Sequence, residues 1–272
     1  MNHYSIPVVG NAQTYVAANE RERVEEQSST WKKRIRIVLI TIVACTVLAP
    51  ILLGWAGNLW IDEKKLAALH DTKTATYVKL DEMPDYMWKA FVAIEDHRFM
   101  QHGGVDPVAL ARALWIDVRQ GGYVQGGSTI TMQLARNLFL THDKTMLRKA
   151  KEMAIALQLE QRYSKKELLE MYLNVIYFGH GKNGIGEATA FYFGKSAKAT
   201  GKDAITLGEA AILASLPKAP ENYSPIKHWQ KAKERQSVVL NRMAQLEVID
   251  QAQKQKALTE TIRVTKTVKP AS

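Results

Sequence analysis

Cysteine is nearly absent from this chain of 272 residues, which holds only Cys45. A single cysteine excludes an intrachain disulfide and any multi-cysteine metal site. Set in an apolar run, it reads as a small buried hydrophobe. Six histidines past the N-terminus (His70, His97, His102, His142, His180, His228) are scattered. No H-E-x-x-H or comparable ligand spacing joins them. Internal repeats and low-complexity tracts are missing as well. Acid is scarcer than base, with 27 Asp+Glu against 37 Lys+Arg and a net charge of +10. The first 36 residues hold six of the bases and four of the acids, so most of the excess lies beyond them. Such a balance points to anionic lipid or a phosphate-bearing substrate.

Charge is missing altogether from residues 37–61. At about 1.5 Å per residue, a helix of that length spans a hydrocarbon core of about 30 Å. Lys32, Lys33, Arg34 and Arg36 precede it, and Trp31, Trp55 and Trp60 stand near its ends, where interfacial aromatics belong. Pro50 would kink the helix, which membrane helices tolerate. A cleaved signal peptide is the alternative, but the run and its leader are long for one and no clean cleavage site follows. The expectation is a single-pass inner (cytoplasmic) membrane protein. Residues 1–35 form a cytoplasmic tail, 36–61 a transmembrane helix, 62–255 an extracytoplasmic domain and 256–272 a C-terminal tail. A domain outside the cytoplasm is a poor fit to nucleic acid.

Beyond the span, helix start signals recur. Asp106-Pro107 places an N-cap before proline at the first helical position. Ser164 to Glu167 and Thr206 to Glu209 form capping boxes. Ser224-Pro225 is expected to open a long amphipathic helix running to about Leu246. These signals predict a mainly α domain, with short β segments near 74–80 and 261–268. The glycine-rich stretch 121–127 is expected to be a mobile loop.

One polar island stands out, running from Glu95, Asp96, His97 and Arg98 through Phe99 and His102 to Gly103-Gly104. Taken alone it reads equally as a solvated helix end or as a site. A second segment, Gly126 to Asn137, repeats apolar residues at Ile130, Leu134 and Leu138. Ser128 and Thr129 lie at its start, where free N–H groups suit a phosphate. Spacing alone favours an ordinary capped amphipathic helix. Arg148, Lys149 and Glu152 lie at ion-pair spacing, which alone reads as a surface pair worth a few tenths of a kcal/mol. Gly179 to Gly184 fits G-x-G-x-x-G without a βαβ unit around it. Gly194-Lys195-Ser196 lacks the first glycine of a phosphate loop. Ser215 to Lys218 fits S-x-x-K but contains Pro217, and no K-T-G follows.

Together these segments resemble the peptidoglycan glycosyltransferases of family 51. The E-D-x-x-F-x-x-H-x-G motif is met by Glu95, Asp96, Phe99, His102 and Gly104. G-G-S-T-I-T-x-Q-L-x-K-N is met from Gly126 to Asn137, with Arg136 in place of the lysine. R-K-x-x-E is met by Arg148, Lys149 and Glu152. Lys166 to Asn174 and Glu209 to Pro220, with Tyr223 and Pro225, resemble the fourth and fifth motifs. All five occur in order over about residues 84 to 245. Met132 stands where many members have glutamine, and Lys144 where several have arginine.

The resemblance implies a lysozyme-like helical lobe and a smaller membrane-proximal jaw lobe. It implies polymerisation of lipid II into β-1,4-linked glycan, with inversion, release of undecaprenyl pyrophosphate and inhibition by moenomycin. A transpeptidase domain is not expected. Glu95 would be the general base, with Arg98 favouring its ionised form, and Glu152 the second glutamate. Substrate contacts would come from Asp96, Phe99, His102, Gly104, Gly127, Ser128, Thr129, Gln133, Arg136, Asn137, Lys144, Arg148, Lys149 and Lys151. No cofactor is required, although a divalent cation (Mg or Mn) bridging the pyrophosphate is compatible. The implied partners are lipid II, the growing lipid-linked glycan, the bilayer and other cell-wall synthesis or division proteins. A membrane-anchored muramidase and an inactive cell-wall scaffold are the alternatives.

Overall fold

The computed structural model describes residues 33, 35–41, 51–69, 76–120, 126–141, 143 and 145–265. The chain divides into two compact units, Met1–Leu52 and Leu53–Ser272. In the first, residues 35–41 are helical and expose Ile37, Val38, Leu39 and Ile40. Residues 42–50 of the expected span, the loop residues 121–125, and Lys144 lie outside the described residues. Among the described residues no helix is long and apolar enough to cross a membrane.

The second unit is helical. Its elements are α1 (Glu63–Leu69), α2 (Asp85–Glu95), α3 (Pro107–Gln120), α4 (Ile130–Phe139), α5 (Met146–Arg162), α6 (Lys165–Val175), α7 (Ile185–Phe193), α8 (Leu207–Ser215), α9 (Trp229–Gln245) and α10 (Gln251–Thr259). Side chains set where these helices begin. Asp106 Oδ1 accepts from the N–H groups of Val108 and Ala109 at the start of α3. Ser164 with Glu167 and Thr206 with Glu209 close the two expected capping boxes. Each cap is worth about 1 kcal/mol because it satisfies N–H groups that the helix leaves free.

Helix α8 is the centre of the unit. Every residue from Gly208 to Ser215 is buried, as befits a helix apolar on all sides. It packs against α2, α9 and α10, while α4 packs against α5 and α6. Phe91 of α2 meets Phe178 edge-on at 5.9 Å. One hydrophobic core links the helices through Phe91, Phe99, Leu134, Leu159, Tyr172 and Ile212, all fully buried. Each such side chain contributes about 1.5–3 kcal/mol through removal from water.

Four expectations change. No β-strand forms among the described residues; the lone bridge joins Tyr177 to Asn183. Residues 77–79 form no regular element, and Asn174 takes the place of a neighbouring strand. Its Oδ1 accepts from Val78 N, and its Nδ2 donates to Val78 O. Residues 261–265 likewise form no regular element, with Thr265 N donating to Tyr192 O.

The second change is at Ser224-Pro225. Helix α9 begins only at Trp229; Ser224 instead opens a separate turn, its hydroxyl accepting from Lys227 N and its carbonyl from His228 N, with His180 Nε2 2.8 Å from the hydroxyl. Third, a boundary at 255 falls inside α10, where Ala257 is buried. Asp250 and Gln253 form the capping box that opens that helix. Fourth, the end of the uncharged run belongs to the folded unit from Leu53 on. A Cβ added at Gly57 would lie 2.3 Å from Ala154 O. Only glycine permits so close an approach of that segment to α5.

Candidate active site

Glu95 is the last residue of α2 and lies half-buried where that helix gives way to a polar turn. Gln133, one turn into α4, donates from Nε2 to Glu95 Oε2 at 2.7 Å. Tyr172, fully buried in α6, donates from its hydroxyl to Gln133 Oε1 at 3.3 Å, fixing the amide's orientation. Burial raises the Glu95 carboxyl above the ordinary glutamate range. Gln133 and then Arg235, Arg136 and Lys218 pull it back part of the way. Arg98, expected to serve Glu95, instead pairs through Nε with Asp106 Oδ2 at 3.1 Å. The buried Asp106 carboxylate is the nearer claim on that cation.

The rest of the first motif lies beneath the surface. Asp96 is buried and joins the first two motifs. Its Oδ2 is 2.9 Å from His102 Nε2 and accepts from Ile130 N at 3.0 Å, at the first turn of α4. Phe99 is fully buried, with Lys165 Nζ 4.3 Å from its ring centroid. Gly104 has φ +91, and an added Cβ would meet Ala156 O at 2.8 Å. Its carbonyl accepts from the buried Thr129 hydroxyl at 2.5 Å, and Thr129 Oγ1 caps α4 by accepting from Met132 N. Asp96, Phe99, Gly104 and Thr129, and His102 through its Nε2 though not its buried Nδ1, thus spend their polar atoms and surface on neighbours. They set the direction of α4 and the place of Glu95, rather than lining open space. Gly127 lies against Leu110 of α3.

A second carboxylate has a different setting. Glu152 is fully buried on α5. Arg148 Nη1 pairs with its Oε1, and Lys149 Nζ donates to its Oε2 at 2.8 Å. Lys149 also donates to Ser128 Oγ, and Arg148 Nε to Asp143 O. Burial lowers the Lys149 ammonium, while Glu152 opposes that shift. The third motif is therefore no surface pair. One buried acid clamps two cations and links them to the N-terminus of α4.

Gln133, Arg136, Asn137 and Arg148 share an open cleft of ≈ 340 Å³ with Ile176, Tyr177, Pro217 and Pro220. Its cationic wall comes from α4 and α5, and its opposite wall from the two segments after α6 and α8. Lys151, expected beside Arg148, turns away; its Nζ lies over the Trp60 ring at 5.3 Å. Sequence reasoning gave no role to Tyr172, Arg235 or Lys218. Lys218 stands in the fifth motif, so a signal existed. Arg235 is one cation among many on α9, with no local pattern to mark it. Gly179 to Gly184 forms the turn that closes the Tyr177–Asn183 bridge and starts α7. Among the described residues no three acids, histidines or cysteines converge as a metal cage.

The Transglycosylase family model matches residues 62–244. Penicillin-binding protein 1F of Bacillus subtilis is 46 % identical over 78 % of this chain and 32 % of its own length. Penicillin-binding protein 1A of Escherichia coli is 44 % identical over 73 % of this chain and 23 % of its own. The chain thus spans about a third or less of these first relatives. A Cupriavidus necator protein named "Putative transglycosylase" is 36 % identical over 86 % of this chain and 98 % of its own. A solved structure, penicillin-binding protein 1A from Haemophilus influenzae, aligns over 70 % of this chain and 18 % of its own at 25 % identity, with a TM-score of 0.41. The chain belongs to the Transglycosylase family, glycosyltransferase family 51.

Proposed function

We propose that this transglycosylase polymerises lipid II into β-1,4-linked glycan strands. The observation that carries the proposal is the Glu95 carboxylate. It is oriented by an uncharged donor, raised above its ordinary range and placed beside a cleft with a cationic wall. A base whose affinity for protons moves toward the working pH is better at accepting one in a transition state. In the reaction, Glu95 takes the proton of the acceptor's 4-hydroxyl. The hydroxyl oxygen forms a bond to C1 of the donor sugar as the C1–O bond to pyrophosphate breaks. Attack opposite the leaving group inverts the anomeric centre.

The departing pyrophosphate gathers negative charge, and preorganised cations stabilise it there. Arg136 and Arg148 line the cleft, and Lys149 stands next to Arg148 on α5. Glu152 holds Arg148 and Lys149 in place without itself reaching solvent. The uncharged run ahead of Leu53 would anchor the enzyme to the bilayer that carries both substrates, with the N-terminus in the cytoplasm. Confinement to one surface raises the effective concentration of each partner. Other cell-wall enzymes are natural neighbours on that surface.

The test is polymerisation of purified lipid II, with moenomycin as inhibitor. Wild-type protein should form glycan strands, and moenomycin should stop it. Glu95→Gln should lose about 10²–10⁴-fold in rate while still binding lipid II. Normal turnover by Glu95→Gln would remove the base assignment. Release of fragments from sacculi without lipid II would replace polymerisation with hydrolysis.

A further inference from the structure

A second open cleft, of ≈ 460 Å³, lies beside the first. Asn222, Tyr223, Lys231, Glu234, Arg235 and Val238 line it. The two clefts flank the same stretch of chain, since Pro217 and Pro220 border one and Asn222 and Tyr223 the other. Arg235 projects from α9, with its guanidinium 5.2 Å from the Tyr223 ring centroid. Stacking of this kind holds the planar group in one orientation. Its Nε is buried yet has no hydrogen-bond partner. A buried donor left unsatisfied is costly, and more so on a charged group.

Several other cations in the unit are engaged. Arg148 and Lys149 hold Glu152, Lys195 holds Glu209 and Arg98 holds Asp106. Glu234 lines the same cleft, but no ion pair joins it to Arg235, and Lys231 offsets its charge. A guanidinium held in one orientation at the wall of an open cleft, with no ion pair among the described residues, suits a planar or tetrahedral oxyanion. The charge of Arg235 also acts on Glu95, so the cleft adjoins the reacting region.

We propose that Arg235, braced on Tyr223, binds an oxyanion of the incoming substrate in this second cleft. The inference rests on the lipid II reading above and assigns that substrate a grip apart from the Arg136–Arg148 wall. Two groups of one substrate have the required chemistry, a carboxylate of the peptide stem and the lipid-linked phosphates.

The experiment is initial-rate polymerisation against substrate concentration, using lipid II and a peptide-free lipid-linked disaccharide. Wild-type, Arg235→Gln and Arg235→Lys proteins are compared. With lipid II, Arg235→Gln should raise KM about tenfold or more with kcat within a few-fold of wild type, since it removes a binding contact. Arg235→Lys should fall between, because it keeps the charge and loses the fork. If the Arg235→Gln penalty disappears with the peptide-free substrate, the oxyanion is the peptide carboxylate; if it persists, it is phosphate. An unchanged KM for Arg235→Gln on both substrates overturns the proposal. So does a fall in kcat alone with a displaced acid limb, which would mean that Arg235 acts only through Glu95. Should Arg235→Gln fail to fold, Arg235→Lys decides by the same criterion of a raised KM. Failure of the wild-type protein to polymerise would instead overturn the functional reading.

Discussion

The two glutamates of this site show how environment divides one side chain into two jobs. Glu95 is half-buried, meets an uncharged amide and has cations only at a distance. Glu152 is fully buried and pairs with Arg148 and Lys149. A carboxylate that stabilises two adjacent cations cannot readily give up that role to take a proton. One that meets only a neutral donor can. Burial without a partner cation prepares a base, whereas burial with two prepares an electrostatic frame.

Mutation of either acid tests this contrast, and the largest effect should be that of Glu95→Gln on rate, as above. The same variant should gain stability. A folded-state carboxyl raised above its unfolded value is protonated in both states at low pH. As pH rises, the unfolded chain ionises first, and the fold loses stability. Glu95→Gln should therefore unfold at a higher temperature than wild type at neutral pH, with the gain disappearing in acid. Thermal unfolding at pH 4 and 7.5 measures it; equal shifts at both would break the comparison.

Glu152→Ala should show the opposite sign. It leaves Arg148 and Lys149 without their buried partner, which costs about 3–5 kcal/mol. Denaturant unfolding should show a loss of that size, together with weaker substrate binding. A Glu152→Ala protein as stable as wild type would mean that the pair is not clamped as described.

Gln133→Leu should have a smaller effect on rate. Its amide lowers the Glu95 carboxyl, so its removal raises that group further. The acid limb of the pH–rate profile should move to higher pH, with more activity lost at pH 6 than at pH 8. A limb that stays in place would show that Gln133 does not set the base. Lys151→Ala should have the smallest effect. It removes a cation–π contact with Trp60, worth about 0.5–1 kcal/mol at exposed sites. Polymerisation should be near normal; a large loss would return Lys151 to the phosphate wall.

Much of the helical order was legible in the chain. Asp106-Pro107, Ser164/Glu167 and Thr206/Glu209 mark true helix starts because a cap is a contact among residues three apart. Glu95 and the Arg148–Glu152 group were legible as chemistry through the ordered motifs. Other features were hidden because their causes are long-range. Asn174 replacing a strand beside Val78, and His180 meeting the Ser224 hydroxyl, each depend on a partner dozens of residues off. Nothing local in sequence marks Asp106 as the partner of Arg98, or Trp60 as that of Lys151.

By itself, the sequence determined the mainly helical class and the family, and its motifs pointed to the two acids, since these follow from periodicity, caps and motifs of short range. Tertiary structure alone decided what each acid is. It placed Gln133 against Glu95, closed Arg148 and Lys149 onto Glu152, and left Arg235 with a buried donor unspent. Those outcomes depend on desolvation and on which charges lie within a few ångströms, and neither is a property of a residue's neighbours in sequence.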